Sequence, residues 1–194
     1  MNRDPLDRHY TDDRLADRCI EWLFARLDDP ELILEPYAGG GAFGRAAMRA
    51  RPSIDVRGCD IDPNAVPGYP CDHVSAAEWR PDTKHDFPTW IVTNPAYTDI
   101  YRTISTMRDL QQRVRANILA LLLRATTIEQ IMNLGDPPSS LAVSPQRPRW
   151  GGPGGAALTS GDTCGSVLCV WGMGPTKIHT VIHGLGDWRP RGRG

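Results

Sequence analysis

The sequence predicts an α/β fold in one domain, with a mostly parallel central sheet flanked by helices. Three observations point there. Apolar strand-like runs alternate with segments of helical period, the succession that right-handed βαβ units require. A glycine-rich turn, "GGGAFG" at 39–44, joins the first of those runs to a helix. Polar motifs at 35–41, 60–62 and 94–97 all fall where a strand is expected to end. Open α/β sheets hold their ligands beyond the carboxyl ends of the strands.

Each element has its own signal. "YTDDRLADRCIEWLFARL" predicts an amphipathic helix, because Leu15, Cys19, Trp22, Leu23, Phe24 and Leu27 recur near a helical period, with Thr11 or Asp12 as N-cap. "ELILEPYAGGGAFGRAAMRARP" reads as strand, turn and a helix ended by Pro52. "IDVRGCDIDP" is a second strand closing on acids, and "TWIVTNPAY" is a further one. The stretch 64–89 carries no clear pattern. Residues 99–132 show a long helical pattern with one possible break. "SLAVSP" and "SVLCVWG" predict short buried strands, and "TKIHTVIHGL" is a candidate for another. The glycine- and proline-rich stretch 146–165 predicts a flexible loop, and 189–194 a disordered tail.

At 194 residues, with 40% hydrophobic and 23% charged, the chain is expected to be a single domain (1–194) with a full-sized core. The apolar run "ANILALLLRA" is too short to span a bilayer, and "MNRDPLDRHYTDD" lacks a signal-peptide core. A cytoplasmic protein is expected. Five cysteines without a CxxC pair imply reduced thiols. The net charge of −1 conceals a split: residues 1–100 hold 11 Lys/Arg against 18 Asp/Glu, and residues 101–194 hold 11 against 5. The basic second half fits a nucleic-acid-facing side or solvated helix faces equally well. The same two alternatives apply to Arg102, Arg108, Arg113 and Arg115.

The glycines satisfy G-x-G-x-x-G, and Asp60 ends the next strand where a ribose-binding acid belongs. A nicotinamide or flavin dinucleotide would fit that much. Glu35 argues otherwise, since a carboxylate just ahead of the glycines repels pyrophosphate and attracts an ammonium or sulfonium group. A cationic nucleoside is the better ligand, with Glu35 at its positive end and Asp60 on its ribose. Asp62 reads as a helix cap. Asp72 is either a contact to the ligand's adenine or a loop acid. His179 and His183 have metal-ligand spacing but no evident third ligand, so no metal is expected.

"ILEPYAGGGAF" resembles the first motif of class I S-adenosylmethionine-dependent methyltransferases, and "VRGCDIDP" resembles their acidic second motif. "IVTNPAY" is similar to the NPPY signature of those that methylate amino groups, and "YTDDRLADRCIEWL" to the segment that packs on the methionine moiety. The order and spacing resemble small phage-type DNA N6-adenine methyltransferases over roughly 9–101, and "QRPRW…VLCVWG" is a weaker echo of them. Ala96 and Asp12 depart from the family's prolines. The resemblance implies a Rossmann-like class I methyltransferase fold and S-adenosylmethionine as cofactor. It places Tyr10, Thr11, Glu35, Pro36, Tyr37, Gly39, Gly41, Asp60, Ile61 and Asp72 around that cofactor.

It also gives "NPAY" a task. The lone pair of an exocyclic amine is delocalised into its ring. Acceptors at the Asn94 side-chain oxygen and the Pro95 carbonyl would draw that amine toward tetrahedral geometry. The Tyr97 ring would stack on an extruded base. The implied activity is methylation of adenine N6 in DNA, with DNA favoured over RNA as partner and Arg147 and Arg149 as candidate nucleic-acid contacts. The same clamp serves RNA bases and protein glutamine. A fold of this kind that binds without turnover is a further alternative.

Overall fold

The computed structural model describes residues 10–83, 87–97, 99–144, 165–172 and 181–185. Helix α1 (Asp13–Phe24) starts at Asp12, whose Oδ1 accepts from the Arg14 and Leu15 N–H groups at 2.9 and 3.4 Å. That bond satisfies donors that every helix start leaves open. Strand β1 (Leu32–Pro36) is buried throughout and leads through the glycine turn into α2 (Ala42–Ala50). Then follow β2 (Asp55–Cys59), the two-residue β3 (Cys71–Asp72), β4 (Thr89–Thr93), α3 (Ile100–Val114) and β5 (Ile118–Arg124). A 3₁₀ turn (Ala125–Thr127), α4 (Ile128–Met132), β6 (Ser140–Val143), β7 (Ser166–Trp171) and β8 (Val181–Gly184) complete the described chain.

All the strands join one sheet in the order β3-β2-β1-β4-β5-β7-β6-β8. Only β7 is reversed, antiparallel to both β5 and β6. The expected mostly parallel sheet is therefore what forms. Alternate residues feed two apolar layers, as the strand period of two demands. Ile33, Val92, Ala120 and Leu122 face α1 and α2, while Leu34, Ile91, Leu119 and Leu121 face Ile104, Met107 and Leu110 of α3. Strand order reverses between β1 and β4, which creates a crevice at their carboxyl ends. Cys19, Cys59, Cys71 and Cys169 are free thiols, and burial pushes each of them above the usual thiol range.

The helical pattern over 99–132 needs correction. Helix α3 stops where Arg115 takes a left-handed conformation, φ 53°, and its N–H reaches back to Gln111 and Gln112. "ILALLLR" is then the strand β5, not more helix. An unbroken leucine-rich run looks the same for a buried helix and a strand buried on both faces. Pairing with β4 on one side and β7 on the other decides for the strand. "VIHG" of the last candidate strand forms β8. The stretch 146–164 and the tail 189–194 lie outside the described residues. Among those described, no helix is long and apolar enough to cross a membrane.

Candidate functional site

At the end of β1 the chain turns sharply. Tyr37 (φ 57°), Gly39 (φ 49°) and Gly41 (φ 74°) are all left-handed. Gly41 has no substitute, since a Cβ there would stand 2.5 Å from the Pro67 carbonyl oxygen. At Gly39 a Cβ would come within 3.0 Å of the Tyr10 ring, so Tyr10 lies directly against the turn. Arg45 braces it from behind, donating to the Gly40 carbonyl and pairing with Asp13 of α1 at 2.6 Å.

Glu35 points elsewhere than its sequence context suggests. Its carboxylate accepts from the Phe43 and Gly44 N–H groups at 3.2 and 2.6 Å, and from the Tyr69 hydroxyl. It is 2% exposed. The expected role at the positive end of a ligand is not what this geometry provides; the carboxylate closes the start of α2 instead. The reason is proximity: those helical N–H groups have no intrahelical acceptor, and Glu35 lies beneath them. Burial pushes the carboxyl from 4.5 up to about 7, against the lowering effect of Tyr69, the two N–H groups and Arg45. Pyrophosphate sites use such helix-start N–H groups, and here a carboxylate already holds them.

Asp60, at the end of β2, accepts from Gly39 N–H at 2.7 Å and from Asp62 N–H at 2.8 Å. It thereby fastens the glycine turn to the neighbouring strand. Asp62 does not cap a helix as expected; its Oδ1 takes the Asn64 N–H at 2.9 Å and closes a turn. Beside it Ile61 stands 61% exposed. Asp72, the second residue of β3, accepts through Oδ2 from the Trp79 indole N–H at 2.8 Å, which fixes its carboxylate in place.

The "NPAY" segment leaves β4 beside these groups. Thr93, just before it, donates to the Pro36 carbonyl and ties β4 to β1 at the crevice floor. Asn94 Nδ2 donates to Thr11 Oγ1 at 3.1 Å. The Tyr97 hydroxyl donates to Asn94 Oδ1 and lies 3.5 Å from the Leu122 carbonyl oxygen. Pro95 is buried, and the Ala96 carbonyl accepts from Thr103 Oγ1 at 3.4 Å. Tyr97 therefore does more than offer a ring: its hydroxyl orients the amide. The structure brings Tyr10, Thr11, Pro36, Tyr37, Gly39, Gly41, Asp60, Asn94, Pro95 and Tyr97 to one end of the sheet.

No protein-family model and no curated protein sequence matches the chain. Solved structures do. A modification subunit of a putative type I restriction enzyme from Vibrio vulnificus aligns over 95% of this chain and 48% of its own, at 15% identity and a TM-score of 0.54. A predicted O-methyltransferase from Agrobacterium tumefaciens aligns over 89% of this chain and 84% of its own, at 16% identity and a TM-score of 0.54. The fold is that of a class I methyltransferase. The plantazolicin methyltransferase BpumL in complex with SAH also aligns, over 61% of this chain and 49% of its own, at 15% identity and a TM-score of 0.47. The chain spans about half the length of that enzyme and of the Vibrio subunit.

Within the methyltransferase fold, three residues that sequence reading did not single out support the site. Tyr69 holds Glu35, Trp79 holds Asp72, and Arg124 lies over the Tyr97 ring at 4.8 Å. Only Arg124 left a signal, a cation closing the apolar run "LALLLR", and that signal needs the run to be read as a strand. Arg147, Arg149, His179 and the His183 side chain lie outside the described residues. Among the described residues, no group of three or more His, Cys, Asp or Glu side chains is placed to hold a metal.

Proposed function

We propose that this chain is an S-adenosylmethionine-dependent methyltransferase acting on an exocyclic amine, adenine N6 in DNA. What carries the proposal is the pair of hydrogen bonds that fixes the Asn94 amide at the carboxyl end of β4, from Thr11 on one side and Tyr97 on the other. A turn that merely ended a strand would have no need of an amide held on one side by a hydroxyl 83 residues away and on the other by Tyr97.

The residues present suit a single nucleoside better than a dinucleotide. Asp60 and the exposed Ile61 lie together at the end of β2, where ribose hydroxyls and a base face would be held. The helix-start N–H groups that a pyrophosphate needs are closed by Glu35. When bound, S-adenosylmethionine supplies an electrophilic methyl group from its sulfonium. Asn94 Oδ1 and the Pro95 carbonyl accept the acceptor amine's N–H bonds and localise its lone pair, while Tyr97 gives the base a surface to lie against. These bonds strengthen as the nitrogen becomes tetrahedral, so they favour the transition state over the ground state.

The deciding experiment is incubation with S-adenosylmethionine labelled in its methyl group, with DNA, RNA and protein offered as separate acceptors. Label in DNA as N6-methyladenine is the expected result. Label only in RNA or in protein glutamine keeps the chemistry and changes the acceptor. One observation favours a second reading, a fold that binds without turnover: Ala96 and Asp12 stand where the resembled family has prolines, and Asp12 is committed as the N-cap of α1. Binding of the cofactor with no transfer to any acceptor would establish that alternative.

A further inference from the structure

Arg124 closes β5 at the same end of the sheet as Asn94, three residues beyond the Leu121 that pairs with Thr93. Its root is held on both sides: Ser166 of β7 is its sheet partner, and Thr127 Oγ1 donates to its carbonyl at 2.7 Å. From there the guanidinium reaches over Tyr97, 4.8 Å from the ring centroid, inside the roughly 6 Å of a cation–π contact. Tyr97 in turn holds Asn94. A half-buried cation is thus linked through one ring to the amide at the centre of the site.

The surroundings have a matching character. The first turn of α3 leaves from this end of the sheet and exposes Tyr101, at 52%, with Arg102 beside it. Aromatic and basic side chains interleaved at a crevice suit a chain of bases joined by phosphates. A guanidinium is a planar fork of N–H donors that grips phosphate bidentately while its face rests on an aromatic ring. A glutamine side chain on a protein brings no phosphate for such a group to meet.

We propose that Arg124 is an acceptor-binding residue, which steadies the Tyr97 ring and binds a backbone phosphate of the nucleic acid whose base lies against that ring. The choice of base as acceptor rests on the methyl-transfer reading above; the phosphate contact is tested without turnover. An adenine-containing single-stranded oligodeoxynucleotide carrying a fluorophore is titrated by anisotropy over a salt series, with the parent protein, Arg124→Gln and Arg124→Lys, each checked for folding by thermal melting. Loss of one phosphate contact should make the log–log salt slope of Arg124→Gln shallower by about 0.7. Arg124→Lys, which keeps the charge, should retain the parent slope. A parent-like slope in Arg124→Gln, an equal loss in Arg124→Lys, or no oligonucleotide binding by the parent would each overturn the assignment. The expected slope pattern in a protein that methylates no acceptor would uphold Arg124 and sink the transfer reading instead.

Discussion

Asn94 and Thr11 are separated by 83 positions in the chain, yet the Asn94 amide donates to the Thr11 hydroxyl at 3.1 Å. The bond joins the segment before the first helix to the end of the fourth strand. It leaves the amide oxygen turned toward Tyr97, so the orientation of Asn94 is imposed from two sides.

Replacing Asn94 by Ala should collapse methyl transfer while calorimetric binding of S-adenosylmethionine stays near the parent value. Loss of a hydrogen bond realised in the transition state costs about 100-fold or more in rate. Thr11→Val should cost less, roughly tenfold at most, because it removes one neutral bond that orients the amide. Parent-like turnover in Asn94→Ala would reduce "NPAY" to a turn.

Tyr97→Phe keeps the ring and loses the bond to Asn94. A reading of Tyr97 as a stacking surface alone makes that change mild. With the hydroxyl engaged, we expect kcat to fall about three- to tenfold, with KM for the acceptor little changed. Tyr97→Ala should also weaken acceptor binding, by about 1–3 kcal/mol. Steady-state kinetics on the two variants separates the roles of ring and hydroxyl.

The glycine turn gives an ordered pair of expectations. Gly41→Ala meets the Pro67 backbone at 2.5 Å in a left-handed conformation, whereas Gly39→Ala meets only the Tyr10 ring, at 3.0 Å. Both are strained, and overpacking typically costs about 1–3 kcal/mol. Thermal melts should show the larger loss for Gly41→Ala, because backbone yields less readily than a ring. Gly39→Ala should mainly weaken S-adenosylmethionine binding by displacing Tyr10.

Glu35 predicts a pH dependence. Its carboxyl lies at about 7 in the fold against 4.5 as the ordinary value. The folded protein therefore holds that proton more tightly than the unfolded chain does. The contribution to stability is complete below pH 4.5, shrinks as pH rises toward 7, and is gone above it. The amount is on the order of 3 kcal/mol. Melting temperature should decline across that window, and Glu35→Gln should flatten the decline. An unchanged slope in Glu35→Gln would show that Glu35 is not the titrating group.

Much of this protein follows from the sequence by itself. The strand–turn–helix at 32–50, the acids ending β2 and the polar close of β4 rest on local patterns, because side-chain period and glycine conformation are properties of a few neighbouring residues. The mostly parallel sheet follows from their order. Other features were decided only by tertiary structure. "ILALLLR" is a strand because β4 and β7 flank it, which no local pattern states. Glu35 turns inward because α2 brings two N–H donors above it, although its neighbours in sequence suggest a ligand. The bonds from Asn94 to Thr11 and from Tyr69 to Glu35, like the contact of Arg124 with Tyr97, depend on segments 27 to 83 residues apart. Residue types and spacings announce the elements and the candidate site; the direction each side chain faces is settled by what the rest of the chain packs against it.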